Sequence, residues 1–119
     1  MNLPKEVQNN SDSVDIISQM VQLIVEKASP EKIILFGSHA NGTARPDSDV
    51  DLLIVESTPF GPGRSRRKEM AILWKLLRTF NLPKDILIYS LEEWDRWRDS
   101  QNHVIAHAFR EGKVLYERS

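Results

Sequence analysis

The sequence predicts an α+β domain in which a mixed β-sheet is covered by helices on one face. Apolar residues at three- and four-residue steps mark helices, and short β-branched runs mark strands. Together they give the order helix, strand, strand, helix, strand, helix, helix, strand. The 119 residues, 40% of them apolar and 28% charged, suit one folded domain without repeats. We therefore expect a single domain over residues 1–119, with the polar residues 1–10 as a loose N-terminal arm.

The first half of the chain predicts one helix and two strands. Ser11, Asp12 and Ser13 are N-cap candidates for a helix whose apolar stripe continues to Ala28. Ser29-Pro30 ends this helix, because the residue before proline disfavours helical geometry. Lys32 to Phe36 reads as a buried strand, and His39 to Ser48 reads as a polar loop that begins with one helical turn. Val50 to Val55 is the second strand.

The second half begins with Ser57 to Gly63, whose prolines and glycines indicate either a connector or a mobile flap beside a site. Ser90 with Glu93 predicts a capping box, and the helix that it starts carries Trp94 and Trp97. We expect Trp74, Trp94 and Trp97 to lie in the core or in an interface. The remaining predicted elements are a helix over Arg64 to Phe80, a strand over Lys84 to Tyr89, a helix over Asn102 to Arg110 and a strand over Val114 to Tyr116.

Composition excludes several classes of function. The absence of cysteine excludes disulfides, zinc–thiolate sites and cysteine nucleophiles. A formal net charge of −1 gives no support for general nucleic-acid binding. No apolar run approaches the roughly 18 residues of a membrane span, and the N-terminus does not resemble a signal peptide. We therefore expect a cytoplasmic protein without a membrane partner.

Two aspartates open the second predicted strand. Asp49 and Asp51 are two residues apart, so their side chains project from the same side of the strand. Like charges held side by side are unfavourable unless a cation lies between them, and Mg²⁺ binds carboxylates together with substrate phosphates. Gly37-Ser38, at the end of the preceding strand, offers backbone N–H groups and a hydroxyl to a phosphate. This pattern predicts a nucleotide-and-metal site.

Three familiar motifs come close without matching. Gly37 and Gly42 have P-loop spacing, but Thr43-Ala44 stands where that motif requires Lys-Ser/Thr. Asp47, Asp49 and Asp51 resemble the start of an EF-hand loop, but this sequence lacks the glycine and the glutamate that come later in such a loop. His103 and His107 share a helix face without the glutamate of a zincin, so we expect no zinc site there.

The pattern Gly37-Ser38, ten residues, Asp49-x-Asp51 closely resembles the signature of minimal nucleotidyltransferase (MNT) domains of the DNA polymerase β superfamily. Gly112 to Tyr116 is similar to the usual C-terminus of that family, so that the resemblance covers roughly Lys32 to Tyr116. It implies the nucleotidyltransferase fold and a third carboxylate from a later strand. Asp85 is the candidate for that carboxylate, because it opens a later apolar strand.

The resemblance implies catalysis by Asp49, Asp51 and Asp85, with the same three carboxylates holding two Mg²⁺ ions. A hydroxyl would attack the α-phosphate of a nucleoside triphosphate, expected to be ATP. Gly37 and Ser38 are the expected phosphate-binding residues. Arg45 lies between the two halves of the motif, where its cation would reach the triphosphate.

Short members of the MNT family commonly act as antitoxins that adenylylate a tyrosine of a HEPN-domain toxin. The resemblance therefore implies a type VII-like antitoxin with a HEPN toxin as partner. Two alternatives stay open, namely a small-molecule adenylyltransferase of the antibiotic-modifying type and a non-catalytic module that masks its partner. The oligomeric state, homomeric or heteromeric, also stays open.

Four cations lie at the start of the helix predicted over Arg64 to Phe80. They suggest an anionic partner, either a triphosphate or an acidic protein face, or else a solvated surface. These are Arg64, Arg66, Arg67 and Lys68.

Overall fold

The structure, a computed structural model, describes residues 12–119, and their side chains from residue 16 onward. The predicted arm over residues 1–10 and the N-cap candidate Ser11 lie outside the described residues. Four strands and five helices follow one another along the described part of the chain. They are α1 (Asp12–Ala28), β1 (Lys32–Phe36), α2 (Ser38–Asn41), β2 (Val50–Glu56), α3 (Arg66–Leu77), β3 (Lys84–Ser90), α4 (Leu91–Trp97), α5 (Val104–Glu111) and β4 (Lys113–Glu117).

The strands form one mixed sheet in the order β3-β2-β1-β4. β1 pairs antiparallel with β2 and with β4, whereas β2 and β3 are parallel and connected through α3. The register places Phe36 opposite Asp51, and Asp51 opposite Asp85. The end of β1 and the starts of β2 and β3 therefore meet at the same end of the sheet. The predicted α+β class with a mixed sheet is confirmed.

Helices cover both faces of this sheet, so the prediction that they cover one face is wrong. Residues from α1 and α3, such as Met20 and Leu73, pack on the face that carries Leu52 and Ile54. Trp94 of α4 and Ile105 of α5 pack on the opposite face. The alternation of side chains along each strand divides the core into these two clusters. The central strand β2 is buried on both faces, which explains its continuous apolar sequence.

The helix boundaries follow local capping chemistry. The Ser65 hydroxyl accepts a hydrogen bond from the Lys68 N–H, which starts α3 two residues later than the sequence pattern suggested. Both reciprocal hydrogen bonds of the predicted capping box between Ser90 and Glu93 are present. His103 caps α5, because its Nδ1 accepts from the Ile105 N–H at 3.1 Å. None of the described helices is long and apolar enough to cross a membrane.

Candidate nucleotidyl-transfer site

Three aspartates lie together at one end of the sheet. Asp51 and Asp85 are directly paired in the parallel register of β2 and β3, so their side chains share a face about 4.8 Å apart along the pairing direction. Asp49 precedes β2 by one residue and lies on the same side as Asp51. The Val50 N–H donates to the Pro83 carbonyl at 2.9 Å, which fixes the entry of β3 beside that of β2. The structure thus places the three predicted aspartates at the same end of the sheet.

The negative charges of these aspartates lie close enough to affect the pKa of Asp51. Burial raises the pKa of Asp51 above its usual value, and the nearby carboxylates of Asp85 and Asp49 raise it further. His39 acts in the opposite direction through its charge. A cation between the three carboxylates would relieve this repulsion.

Gly37 brings the backbone of the preceding strand against the carboxylate of Asp51. Its φ of 75° lies in the left-handed region that side-chain-bearing residues rarely adopt. A Cβ at this position would lie 2.3 Å from Asp51 Oδ2. Ser38 then opens α2, whose first turn leaves the N–H groups of Ser38 and His39 without partners inside the helix. Glycine is therefore required here both by backbone conformation and by space.

A hydrogen-bonded turn leads into Asp49. The Arg45 N–H donates to Ser48 Oγ at 2.7 Å, and the Ser48 N–H donates to the Arg45 carbonyl at 2.9 Å. The Ser48 carbonyl in turn accepts from Nε2 of His39, at 3.2 Å. Because a carbonyl can only accept, Nε2 carries the proton. His39 thus connects the Gly37-Ser38 turn to the residue before Asp49.

Sequence reasoning missed His39, since nothing in its spacing distinguishes it from other loop residues. The structure also places Arg45, a predicted nucleotide-binding residue, in this turn. Arg45 is exposed, and its guanidinium forms no ion pair with any of the three aspartates. Arg45 is near the site in the chain, but the described contacts do not bring its charge into the site.

The donor chemistry of the site fits a hard divalent cation. Carboxylates are the ligands that Mg²⁺ prefers, and the pKa of Asp51 is raised by burial and then by the charges of Asp85 and Asp49. Within residues 12–119, however, no group of three or more His, Asp or Glu side chains is gathered into a ready-made metal site. Asp49, Asp51 and Asp85 nevertheless have the donor type and the shared face that a bound metal would require.

A pocket of about 310 Å³ lies on the other side of the sheet. Leu35 and Leu115 line it together with α1, and Leu35 packs in the cluster of α1 and α3. The three aspartates share the face of α4 and α5, by the alternation of β2 and β3. His39 is the one residue of the site that also lines this pocket. The pocket is therefore separate from the carboxylates.

The turn-rich segment over residues 57–63 and the cations that follow it lie at the opposite end of β2. Arg64 pairs with Glu56, the last residue of β2. Glu56 comes five positions after Asp51, a distance of about 17 Å along a strand. The segment is thus a connector and not a flap beside the carboxylates, and Arg64 is too distant to contact a triphosphate held there.

The aspartates at one end of a mixed sheet, beside the Gly37-Ser38 turn, are the features of a nucleotidyltransferase. Residues 17–107 match the family model described as "Nucleotidyltransferase domain", and the chain belongs to this family. No curated protein sequence matches the chain.

Solved structures share the fold at low sequence identity. A candidate nucleotidyltransferase from Sulfolobus solfataricus matches 98% of this chain and 91% of its own, with a TM-score of 0.66 and 15% identity. A toxin–antitoxin complex with AMP-PNP gives a TM-score of 0.53 at 18% identity, over 85% of this chain and 73% of the other. A mutant MntA–HpeT toxin–antitoxin complex gives the same TM-score and identity, over 84% and 72%.

Proposed function

We propose that this nucleotidyltransferase moves AMP from ATP onto a tyrosine hydroxyl of a HEPN-domain toxin, and so acts as a type VII-like antitoxin. The observation that carries the proposed chemistry is the alignment of Asp49, Asp51 and Asp85 on one face, directly beside the Gly37-Ser38 turn. The hydroxyl oxygen attacks the α-phosphorus, the bond from that phosphorus to the bridging oxygen breaks, and pyrophosphate leaves.

Each part of the site has a role in this proposal. Asp49 and Asp51 would hold two Mg²⁺ ions, and Asp85 would bind one of them. The bound ions would neutralise the charge that develops on the transferred phosphate. Ser38 and the free N–H groups of the first turn of α2 hold the β- and γ-phosphates. Asp85 lies on the exposed edge strand β3 and accepts the proton of the attacking hydroxyl. Arg45, in its exposed turn, is proposed to contact the triphosphate only once nucleotide is bound.

A protein acceptor is favoured by the exposure of the site, since Asp49 and Asp85 are both exposed among the described residues. The fold shared with chains of toxin–antitoxin complexes supports a toxin as the partner.

The experiment is intact-mass spectrometry of the full chain co-expressed with the protein encoded beside it, before and after incubation with ATP and Mg²⁺. We expect the partner to gain the mass of one or more AMP units, and peptide mapping to locate the gain on tyrosine. The Asp49→Ala/Asp51→Ala double variant should give no gain. Asp47→Ala is the matched control, because this aspartate lies two residues before Asp49 in the exposed turn and outside the sheet.

Other results would separate the alternatives. If the double variant still neutralises the partner fully, masking and not transfer accounts for the biology. If no protein gains mass while ATP is consumed in the presence of an aminoglycoside, the acceptor is a small molecule. Transfer that persists in the double variant would contradict the assignment of the site itself.

A further inference from the structure

The solvent face formed by α3 and its C-cap residue Arg78 carries four cations and no acidic residue. Viewed down the helix axis, these cations lie within about 100° of arc, and Ala71 lies in the middle of that arc. Within the described residues none of the four forms a salt bridge or a side-chain hydrogen bond. The four, called here the basic face, are Arg67, Lys68, Lys75 and Arg78, all of them exposed.

The structure separates the basic face from other cations of the same run. Arg64 is paired with Glu56, and Arg66 donates to Glu93 and to the Ile88 carbonyl. Arg67 and Lys68 make no such ion pair or side-chain hydrogen bond within the described residues. They nevertheless lie in the first turn of α3, where the helix dipole disfavours cations. The position of these two cations does not serve the stability of the isolated domain, which points to a ligand outside it.

The basic face and the three aspartates lie on opposite faces of the sheet. α3 packs through Leu73 and Leu77 on the face of the sheet that α1 also covers. Asp51 and Asp85 share the other face with α4 and α5. A triphosphate bound at the carboxylates is therefore separated from the basic face by the sheet, so the anion that this face accepts is a different one.

The residues around the four cations indicate the kind of anion. Ile72 and Trp74, 44% and 37% exposed, flank the basic face on its two sides. Tryptophan and arginine are enriched in protein interfaces, and a phosphate backbone offers little to an exposed isoleucine. A membrane surface would require a continuous apolar outer face, whereas α3 turns its buried leucines into the core. A protein surface fits better than either alternative.

We propose that the basic face docks a protein partner that presents an acidic amphipathic helix. Ala71 lets a second helix approach closely, and the cations extend over about 16 Å, three turns of helix. Carboxylates at four-residue spacing on the partner meet the cations, and apolar residues between them contact Ile72 and Trp74. One helix face buries a small area, so the contact is weak and salt-dependent. This inference concerns binding alone and does not depend on nucleotide transfer.

The test uses the full chain and a fluorescein-labelled synthetic helix of about five turns, with Glu at four-residue spacing beside a leucine stripe. Fluorescence anisotropy should give micromolar binding that weakens as NaCl is raised. Lys75→Glu/Arg78→Glu should weaken binding by at least about tenfold, because it places like charges opposite each other. A peptide with Lys in place of Glu should prefer this variant to the wild type. Lys27→Glu/Arg96→Glu, with the same change in net charge on α1 and α4, should bind like the wild type.

Arg67→Glu/Lys68→Glu is the second variant, since acidic residues are favoured in the first turn and the fold should be kept, as circular dichroism will verify. Equal affinity of the acidic peptide for the wild type and for both basic-face variants would overturn the proposal. So would equal loss in the control variant. If the peptide does not bind while an oligothymidylate or phosphatidylglycerol vesicles do, the surface serves nucleic acid or membrane and the protein assignment is wrong.

Discussion

The backbone of Gly37 lies directly against the carboxylate of Asp51, close enough that a Cβ on Gly37 would come within 2.3 Å of Oδ2. This approach joins the two halves of the sequence signature, which are separated by a polar loop. It also explains why the first residue of the signature is glycine. The left-handed φ of 75° would strain any other residue, and the space is filled by the aspartate.

Gly37→Ala should therefore displace Asp51 and reduce transfer by about 100-fold, since a shift of about 1 Å at a reacting centre has that effect. The strained backbone should also lower the free energy of unfolding by about 1–2 kcal/mol. Gly42→Ala is the matched control. Gly42 has a similar φ of 81°, but no atom of the described residues lies within 4 Å of its Cβ position. Urea unfolding should show that both variants are destabilised to a similar extent, whereas kinetics should show that only Gly37→Ala loses transfer. If the two variants are equally active, the contact between Gly37 and Asp51 is not needed for transfer.

Asp51→Asn should stabilise the metal-free protein while abolishing transfer. Burial and then repulsion from Asp85 and Asp49 raise the pKa of Asp51, and a neutral amide avoids both penalties. The gain in unfolding free energy should be a fraction of a kcal/mol, since the group is only partly buried, whereas transfer should fall by at least about 100-fold.

The companion measurement is thermal unfolding with EDTA and with excess Mg²⁺. A metal that binds the folded state alone stabilises it, by about 2.7 kcal/mol at a hundredfold excess over Kd. Wild type and Asp47→Asn should respond to Mg²⁺, and Asp49→Asn/Asp51→Asn should not. An unchanged response in the double variant would place the metal elsewhere.

His39 should act as a positioning residue for Asp49. His39→Ala removes the hydrogen bond to the Ser48 carbonyl and should lower kcat by about tenfold, with a smaller effect on stability. His39→Gln places an N–H donor near the former Nε2 and should restore much of kcat. If glutamine and alanine behave alike while both proteins stay folded, the hydrogen bond does not position the site.

The core of the site could be predicted from the sequence because it depends on local spacing. A two-residue step puts Asp49 and Asp51 on one side of any strand, and an apolar run after Asp85 predicts that it opens a strand as well. The pairing of Asp51 with Asp85 then requires β2 and β3 to be neighbours, which the parallel register confirms. The roles of these residues in catalysis remain predictions.

What sequence reasoning missed depends on contacts between remote segments. Arg64 and Arg66 look alike in one basic run, but their partners Glu56 and Glu93 come from the end of β2 and the start of α4. The error about helices on one face has a similar origin. The apolar sequence of β2 already required cover on both faces, but an amphipathic stripe on α4 or α5 does not specify which face it covers.

Arg66→Ala should lower the free energy of unfolding by about 1–2 kcal/mol, because Arg66 connects α3, β3 and α4 through charge-assisted hydrogen bonds. Its donors reach the Ile88 carbonyl at 2.8 Å and Glu93 Oε1 at 3.0 Å, and its guanidinium lies over the rings of Phe60 and Tyr89. Arg66→Lys should recover little, since an ammonium cannot make the forked contact. Arg67→Ala, one residue further and exposed, should change stability by less than about 0.5 kcal/mol. Equal effects of both alanine variants in urea unfolding would refute this role.

Glu56 should make the protein less stable as pH rises. Its side chain is buried, with Oε1 accepting from Arg64, while Oε2 has no hydrogen-bond donor among the described residues. The pKa of Glu56 is raised from 4.5 to about 7, first by burial and then by a hydrogen bond with the Glu69 carboxyl, while Arg64 opposes both effects. The folded state therefore holds a proton that the unfolded chain has released between these two values. Stability should fall by roughly 1 to 3 kcal/mol as pH rises from 4.5 through 7.

Glu56→Gln should flatten this part of the pH profile, because the amide is neutral at every pH and keeps an oxygen for Arg64. Above pH 7 the variant should match or exceed the wild type in urea unfolding, whereas near pH 4.5 the two should be similar. Glu92→Gln is the control, since Glu92 is exposed and only 4.0 Å from Arg96 in a weak ion pair. A wild-type slope that persists in Glu56→Gln would mean that another group holds the proton, and Glu69→Gln would then be the variant to measure.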